Sequence, residues 1–154
     1  MTAKHEGDRL GQGPYWQELV IGRPYRTFRR TIREADFVNF ISATGMFEEI
    51  FIDATHDGAM GAGAVPSALT YSYIEGMLMQ TFVQGTGKAM LELHLKIHAP
   101  VRVGDTIWGE VVITGVRETS KGGRAVVDSE IKVFNQNDVM VISYTVKRLI
   151  AGRP

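Results

Sequence analysis

The chain has 154 residues, 44% of them hydrophobic and 22% charged, the size and balance of one soluble domain with a single sizeable core. Seventeen Lys and Arg against seventeen Asp and Glu leave no global field to draw it onto nucleic acid or a membrane surface. With no cysteine there is no disulfide framework, no thiolate nucleophile and no Cys-based zinc site, and a polar N-terminus without an apolar signal core adds the expectation of a cytoplasmic location.

Residues 1–14 are polar and glycine-rich, which predicts a mobile tail before a domain over 15–150. Trp16, Leu19 and Ile21 form an apolar lead-in, and 26–32 reads as a first strand. Thr31-Ile32-Arg33-Glu34 has the form of a capping box, in which a hydroxyl and a carboxylate satisfy the first free amides of a helix. That helix runs to about Ala43, with Gly45 placed for a left-handed terminus. A loop over 44–53 and a Gly/Ala-rich stretch over 58–64 follow.

The segment from Val65 to about Val83 has almost no polar face, which predicts a buried helix with Pro66 in its first turn. Ser67, Ser72, Glu75 and Gln80 interrupt it too often for a membrane span. Gly76 inside it costs about 1 kcal/mol against Ala, which a close backbone approach would explain. Leu91, Leu93, Leu95 and Ile97 then alternate with polar residues, predicting a strand with one buried face. Three more strands are expected over 107–116, 125–134 and 139–149, separated by polar turns. The fold class is α+β, an antiparallel sheet wrapped around one long central helix.

Thr44-Gly45-Met46-Phe47-Glu48-Glu49-Ile50-Phe51-Ile52-Asp53 resembles the active-site loop of the MaoC-like (R)-specific enoyl-CoA hydratases, which reads Ser/Thr-Gly-Asp-any-Asn-Pro-Leu/Ile-His-any-Asp. Met46 stands at the family's Asp and Phe51 at its His, and neither side chain can move a proton. Ala64-Val65-Pro66-Ser67-Ala68-Leu69 is similar to the start of the family's central helix, and Ala99 to Thr106 contains its Pro-Val-x-x-Gly-Asp turn. The resemblance implies a hot-dog fold that forms homodimers or higher homo-oligomers by joining sheets. It also implies an acyl thioester of CoA or acyl carrier protein as substrate, with no resident cofactor.

Hydration of an enoyl thioester needs a base, an acid and donors for the developing enolate oxygen. The free N–H groups of Ser67 and Ala68, at the start of the central helix, are candidate donors. Glu48, Glu49 and His56 are candidates for proton transfer, with Asp57 or Asp53 orienting the histidine. The alternative is a solvated acidic pair on a turn and an exposed loop histidine. Asp53 matches the family's second Asp, a supporting residue.

Glu75, nine residues after Pro66, matches the helix carboxylate of the PaaI-like hot-dog thioesterases, and the competing reading is a carboxylate bonded to the strands or across a dimer interface. Tyr71 is placed as tunnel lining or core. Arg102, Arg124, Lys147 and Arg148 are candidates to meet phosphates. His94 and His98 share a strand face without a third ligand at matching spacing, so no metal site is expected. Three readings follow: a hydratase or dehydratase with a non-family acid/base set, a thioesterase using Glu75, and a non-catalytic acyl-CoA-binding subunit.

Overall fold

The computed structural model describes residues 7–56 and 58–154. Two short strands, β1 (Pro24–Arg26) and β2 (Arg30–Thr31), precede helices α1 (Glu34–Thr44), α2 (Glu49–Ile52) and α3 (Ser67–Gln80). Four long strands follow: β3 (Gly87–Ile97), β4 (Thr106–Glu118), β5 (Arg124–Phe134) and β6 (Met140–Ala151). All pairings are antiparallel, in the order β1-β4-β5-β6-β3, with β2 also on β4.

Period-two sequence decides which face of the sheet is dry. Along β5, Ala125, Val127, Ser129, Ile131 and Val133 are buried, while Val126, Asp128, Glu130 and Lys132 between them are half-exposed. α3 lies on the dry face, where Leu69, Ile74, Met77 and Leu78 share one core with Val111, Ile113, Ile131 and Tyr144. Each such side chain contributes about 1.5–3 kcal/mol by leaving water. Among the described residues no helix is long and apolar enough to cross a membrane.

Several local expectations shift. The single strand expected over 26–32 is two short ones, because Thr27 interrupts the ladder: its Oγ1 accepts the Gly109 N–H at 2.8 Å in place of a carbonyl. The capping box moves two residues on. Thr31 lies in β2, its Oγ1 2.7 Å from that of Thr106, and Asp36 Oδ2 accepts the Arg33 N–H at 2.8 Å ahead of α1. Of the expected tail, residues 1–6 lie outside the described part. Gly13 is already docked, its N–H donating to the Gln84 carbonyl at 2.8 Å, and a Cβ there would come within 2.4 Å of the Phe82 carbonyl oxygen.

The largest correction concerns β3. Its register sets Leu93 beside Val146, Leu95 beside Tyr144 and Ile97 beside Ile142, so its leucine row shares the core side. Yet Leu91, Leu93 and Ile97 are 51%, 37% and 52% exposed, because β3 is an edge strand whose leucine row α3 leaves largely uncovered. α3 is open on the same account: Met79 is 53% exposed, and a Cβ added to Gly76 would meet nothing within 4 Å. Within one chain, the close approach expected at Gly76 is missing.

Candidate active site

The loop resembling the hydratase site is set up by a helix stop. Gly45 takes φ 73° and donates its N–H to the Ile41 carbonyl at 2.9 Å, ending α1 as its position predicts. Met46 and Phe47 follow, both exposed. Glu48 caps α2 through its backbone, its carbonyl accepting the Phe51 N–H at 2.8 Å. The side chains of Glu48 and Glu49 are exposed and have no hydrogen-bond partner among the described residues. Phe51 packs edge-on against Phe37 of α1, ring centroids 6.4 Å apart at 72°.

Beyond α2, Asp53 Oδ1 accepts both the N–H and the hydroxyl of Thr55, at 2.8 and 2.7 Å. The Thr55 hydroxyl and backbone bonds hold the Asp53 carboxyl below the usual carboxylate range, with the nearby His56 adding to the effect. His56 is half-buried, and its N–H donates to the Asp53 carbonyl at 3.1 Å. Asp53 and His56 are therefore neighbours in one turn through their backbones, while the Asp53 carboxylate is bonded to Thr55. Asp57, the other orienting candidate, lies outside the described residues.

The Gly/Ala stretch is held in place rather than loose. Arg102 Nη2 donates to the Met60 carbonyl at 2.7 Å and Nε to the Ala62 carbonyl at 3.3 Å. Ala64 bridges Arg102 through the backbone, and the Val65 N–H reaches the Val101 carbonyl at 2.8 Å. Arg102 is in turn fixed by the Pro-Val-x-x-Gly-Asp turn: Asp105 Oδ2 accepts the Arg102 N–H at 2.8 Å, and Asp105 Oδ1 accepts Gln136 Nε2 at 2.8 Å. The guanidinium assigned to phosphate is committed to loop carbonyls. Arg102→Ala is expected to loosen 58–65 at a cost of about 1–3 kcal/mol, seen as faster amide exchange and proteolysis confined to that loop.

That clamp delivers the chain to α3. Pro66 sits at the N-cap with φ −54° and ψ 134°, one position before the expected first-turn site. Among the described residues the N–H groups of Ser67 and Ala68 have no acceptor, and both residues are half-buried. They carry the positive end of the helix dipole, a ready site for an oxyanion.

Glu75 belongs to a different cluster. It is 7% exposed, and its Oε1 accepts the Tyr144 hydroxyl at 2.7 Å and Arg148 Nη2 at 2.6 Å. Tyr71 stacks edge-on against Tyr144 at 5.3 Å and donates its hydroxyl to Met90 Sδ at 3.5 Å. Burial first, then the Glu75 charge, push both phenols above their ordinary range. The strand-bonded reading of Glu75 holds, and a carboxylate accepting from two buried donors is poorly placed to attack a thioester. Lys147 pairs with Glu92 at 2.9 Å, and His98 Nε2 lies 2.8 Å from Ser143 Oγ. Arg124, the remaining phosphate candidate, is half-buried at the start of β5.

The structure thus groups Glu48, Glu49, Asp53 and His56 along α2 and its exit. The loop clamped by Arg102 leads from that segment to the Ser67 and Ala68 amides, and Glu75 and Tyr71 lie apart in the cluster under β6. Tyr144 and Gln136 escaped the sequence reading. The buried Arg148 did carry a signal: it has the same parity as Val146 and Ile150, the dry side of β6, where a charge needs a partner.

A family profile described as "FAS1-like, dehydratase domain region" matches residues 19–144. The chain belongs to this family. Its fold is shared with a monoamine oxidase regulatory protein from Archaeoglobus fulgidus, at TM-score 0.81 and 21% identity over 93% of this chain and 97% of that one. A MaoC-like dehydratase from Rhodospirillum rubrum superposes at TM-score 0.79 and 19% identity, covering 92% and 99%. The R-hydratase PhaJ1 from Pseudomonas aeruginosa gives 0.73 and 21%, covering 91% and 86%. No curated protein sequence matches. The MaoC-like hot-dog fold implied by the three sequence motifs is the fold observed.

Proposed function

We propose that this MaoC-like protein acts on acyl thioesters, as a hydratase or dehydratase of the enoyl/3-hydroxyacyl type that uses acid/base groups other than the family's Asp and His. The observation that carries the reading is the pair of unpartnered amides of Ser67 and Ala68 at the head of α3. They can accept the negative charge that develops on a thioester oxygen when a proton leaves or joins the α-carbon. The Asp53–His56 turn supplies the one imidazole in the segment, and Glu48 and Glu49 supply free carboxylates.

The test is incubation with a panel of enoyl- and saturated acyl-CoA thioesters, following enoyl absorbance and free thiol together. Loss of enoyl absorbance without thiol release is the expected result. Thiol release alone would replace the proposal with a thioesterase. Silence in both, with thermal stabilisation by an acyl-CoA, would favour the binding-subunit reading, which Phe51 packed on Phe37 supports because an apolar contact fills the position of the family's base.

We also propose that the working form is a homo-oligomer joined through β3. The free edge and its uncovered leucines are what a second copy would cover, and the open flank of α3 at Gly76 and Met79 extends the same surface. Leu93→Asp is expected to shift the protein to monomers in analytical ultracentrifugation. An unchanged sedimentation coefficient would remove β3 as the junction.

A further inference from the structure

Five arginines fall within eleven residues, Arg23, Arg26, Arg29, Arg30 and Arg33, with no acid among them. The remaining twelve Lys and Arg face all seventeen acids, so this strip is positive against an otherwise negative chain. Aromatic faces hold four of the five guanidinium groups, all but that of Arg33. Arg23 lies 5.3 Å from the Tyr25 ring centre, Arg26 and Arg29 lie 5.0 and 5.6 Å from that of Trp108, and Arg30 lies 4.0 Å from that of Tyr73. Arg30 is neutralised by Asp36 at 3.0 Å, and Arg26 approaches Glu110 at 3.9 Å. Arg23, Arg29 and Arg33 are exposed and have no ion pair among the described residues.

The strip adjoins the site. Arg30 meets Tyr73 on α3, and its partner Asp36 precedes Phe37, which packs on Phe51. Ile32 exchanges backbone hydrogen bonds with the turn that fixes Arg102: its N–H donates to Asp105 and its carbonyl accepts from Gly104, both at 2.8 Å.

We propose that Arg23, Arg29 and Arg33 dock the acidic face of a carrier protein that presents the acyl thioester on a flexible arm. This rests on the acyl-thioester reading above and decides between its two thioester sources. Three free guanidinium groups spread over eleven residues of chain, ten steps or up to roughly 33 Å if extended, suit carboxylates scattered on a protein surface better than the clustered phosphates of one nucleotide. Trp108 has no face left for a base, because Phe134 stacks on it at 4.9 Å and 26° while Arg26 and Arg29 approach it as well. Phe28, 47% exposed among these arginines, offers an apolar anchor. Guanidinium forks suit carboxylates, and Arg23 and Arg29, already held over rings, lose less freedom on docking. A long polyanion such as nucleic acid would run off the strip onto the negative remainder.

The experiment is binding of a fluorescently labelled bacterial acyl carrier protein bearing a crotonyl thioester, read by anisotropy, with enoyl absorbance followed in parallel. Arg29→Glu with Arg33→Glu is expected to weaken binding at least about tenfold, and added salt to weaken the unaltered protein likewise. Arg23→Glu with Arg33→Glu, which leaves Trp108 its cations, should give the same loss at unchanged melting temperature. Arg29→Lys with Arg33→Lys should retain most of the binding, and the control Arg117→Glu all of it. The proposal is overturned if charge reversal leaves carrier binding intact, or weakens crotonyl-CoA or a single-stranded oligonucleotide by the same factor. Reversal-sensitive docking without turnover would sink the hydratase reading and leave the docking surface standing. Turnover of crotonyl-CoA with no carrier binding would do the opposite.

Discussion

Arg148→Met is expected to destabilise the protein by about 3–5 kcal/mol in urea unfolding, because it strands the Glu75 charge in the core. Both side chains are under a tenth exposed, and the 2.6 Å contact joins α3 to β6 across 73 residues of sequence. Glu75→Gln with Arg148→Met should recover most of the loss, since the amide oxygen still accepts the Tyr144 hydroxyl and no charge remains buried. The same double variant separates structure from chemistry. A thioesterase dependent on Glu75 would lose turnover with the carboxylate, whereas a hydratase working at the head of α3 should keep its rate. An additive double variant, with no recovery, would show that the pair is not coupled as the geometry requires.

Much of the architecture was legible because it follows from local rules. The stop at Gly45, the four long strands and the turn over 100–105 depend on periodicity and on residues that tolerate unusual dihedrals. What failed to read through depends on partners distant in sequence. Alternation in β3 correctly placed its leucines on one face, but alternation does not say whether anything covers that face. Thr31 looked like a cap because a hydroxyl precedes a carboxylate. Its bond to Thr106 won, and Asp36, two positions later, took the capping role. Arg102 looked free because a sequence shows a charge without the carbonyls it grips, here 40 and 42 residues away. The site was half-legible for the same reason. The loop motif marks the candidate segment, while Met46 and Phe51 stand where the motif's acid and base would be.

Ser67→Pro is expected to lower kcat by about 10²–10³ while leaving stability nearly unchanged. The first helical position tolerates proline, whose fixed φ suits it and whose missing N–H has no intrahelical acceptor there. The preceding Pro66, at φ −54° and ψ 134°, already has the extended geometry that a following proline demands. The substitution therefore deletes one donor from the head of α3 and little else. Ser67→Ala, which removes the hydroxyl but keeps the N–H, should cost far less. A large loss with Ser67→Ala and none with Ser67→Pro would assign the effect to the hydroxyl and remove the amide pair from the mechanism. Equal, small losses in both would leave Ala68 as the remaining backbone donor, to be tested by Ala68→Pro with circular dichroism confirming that α3 still forms.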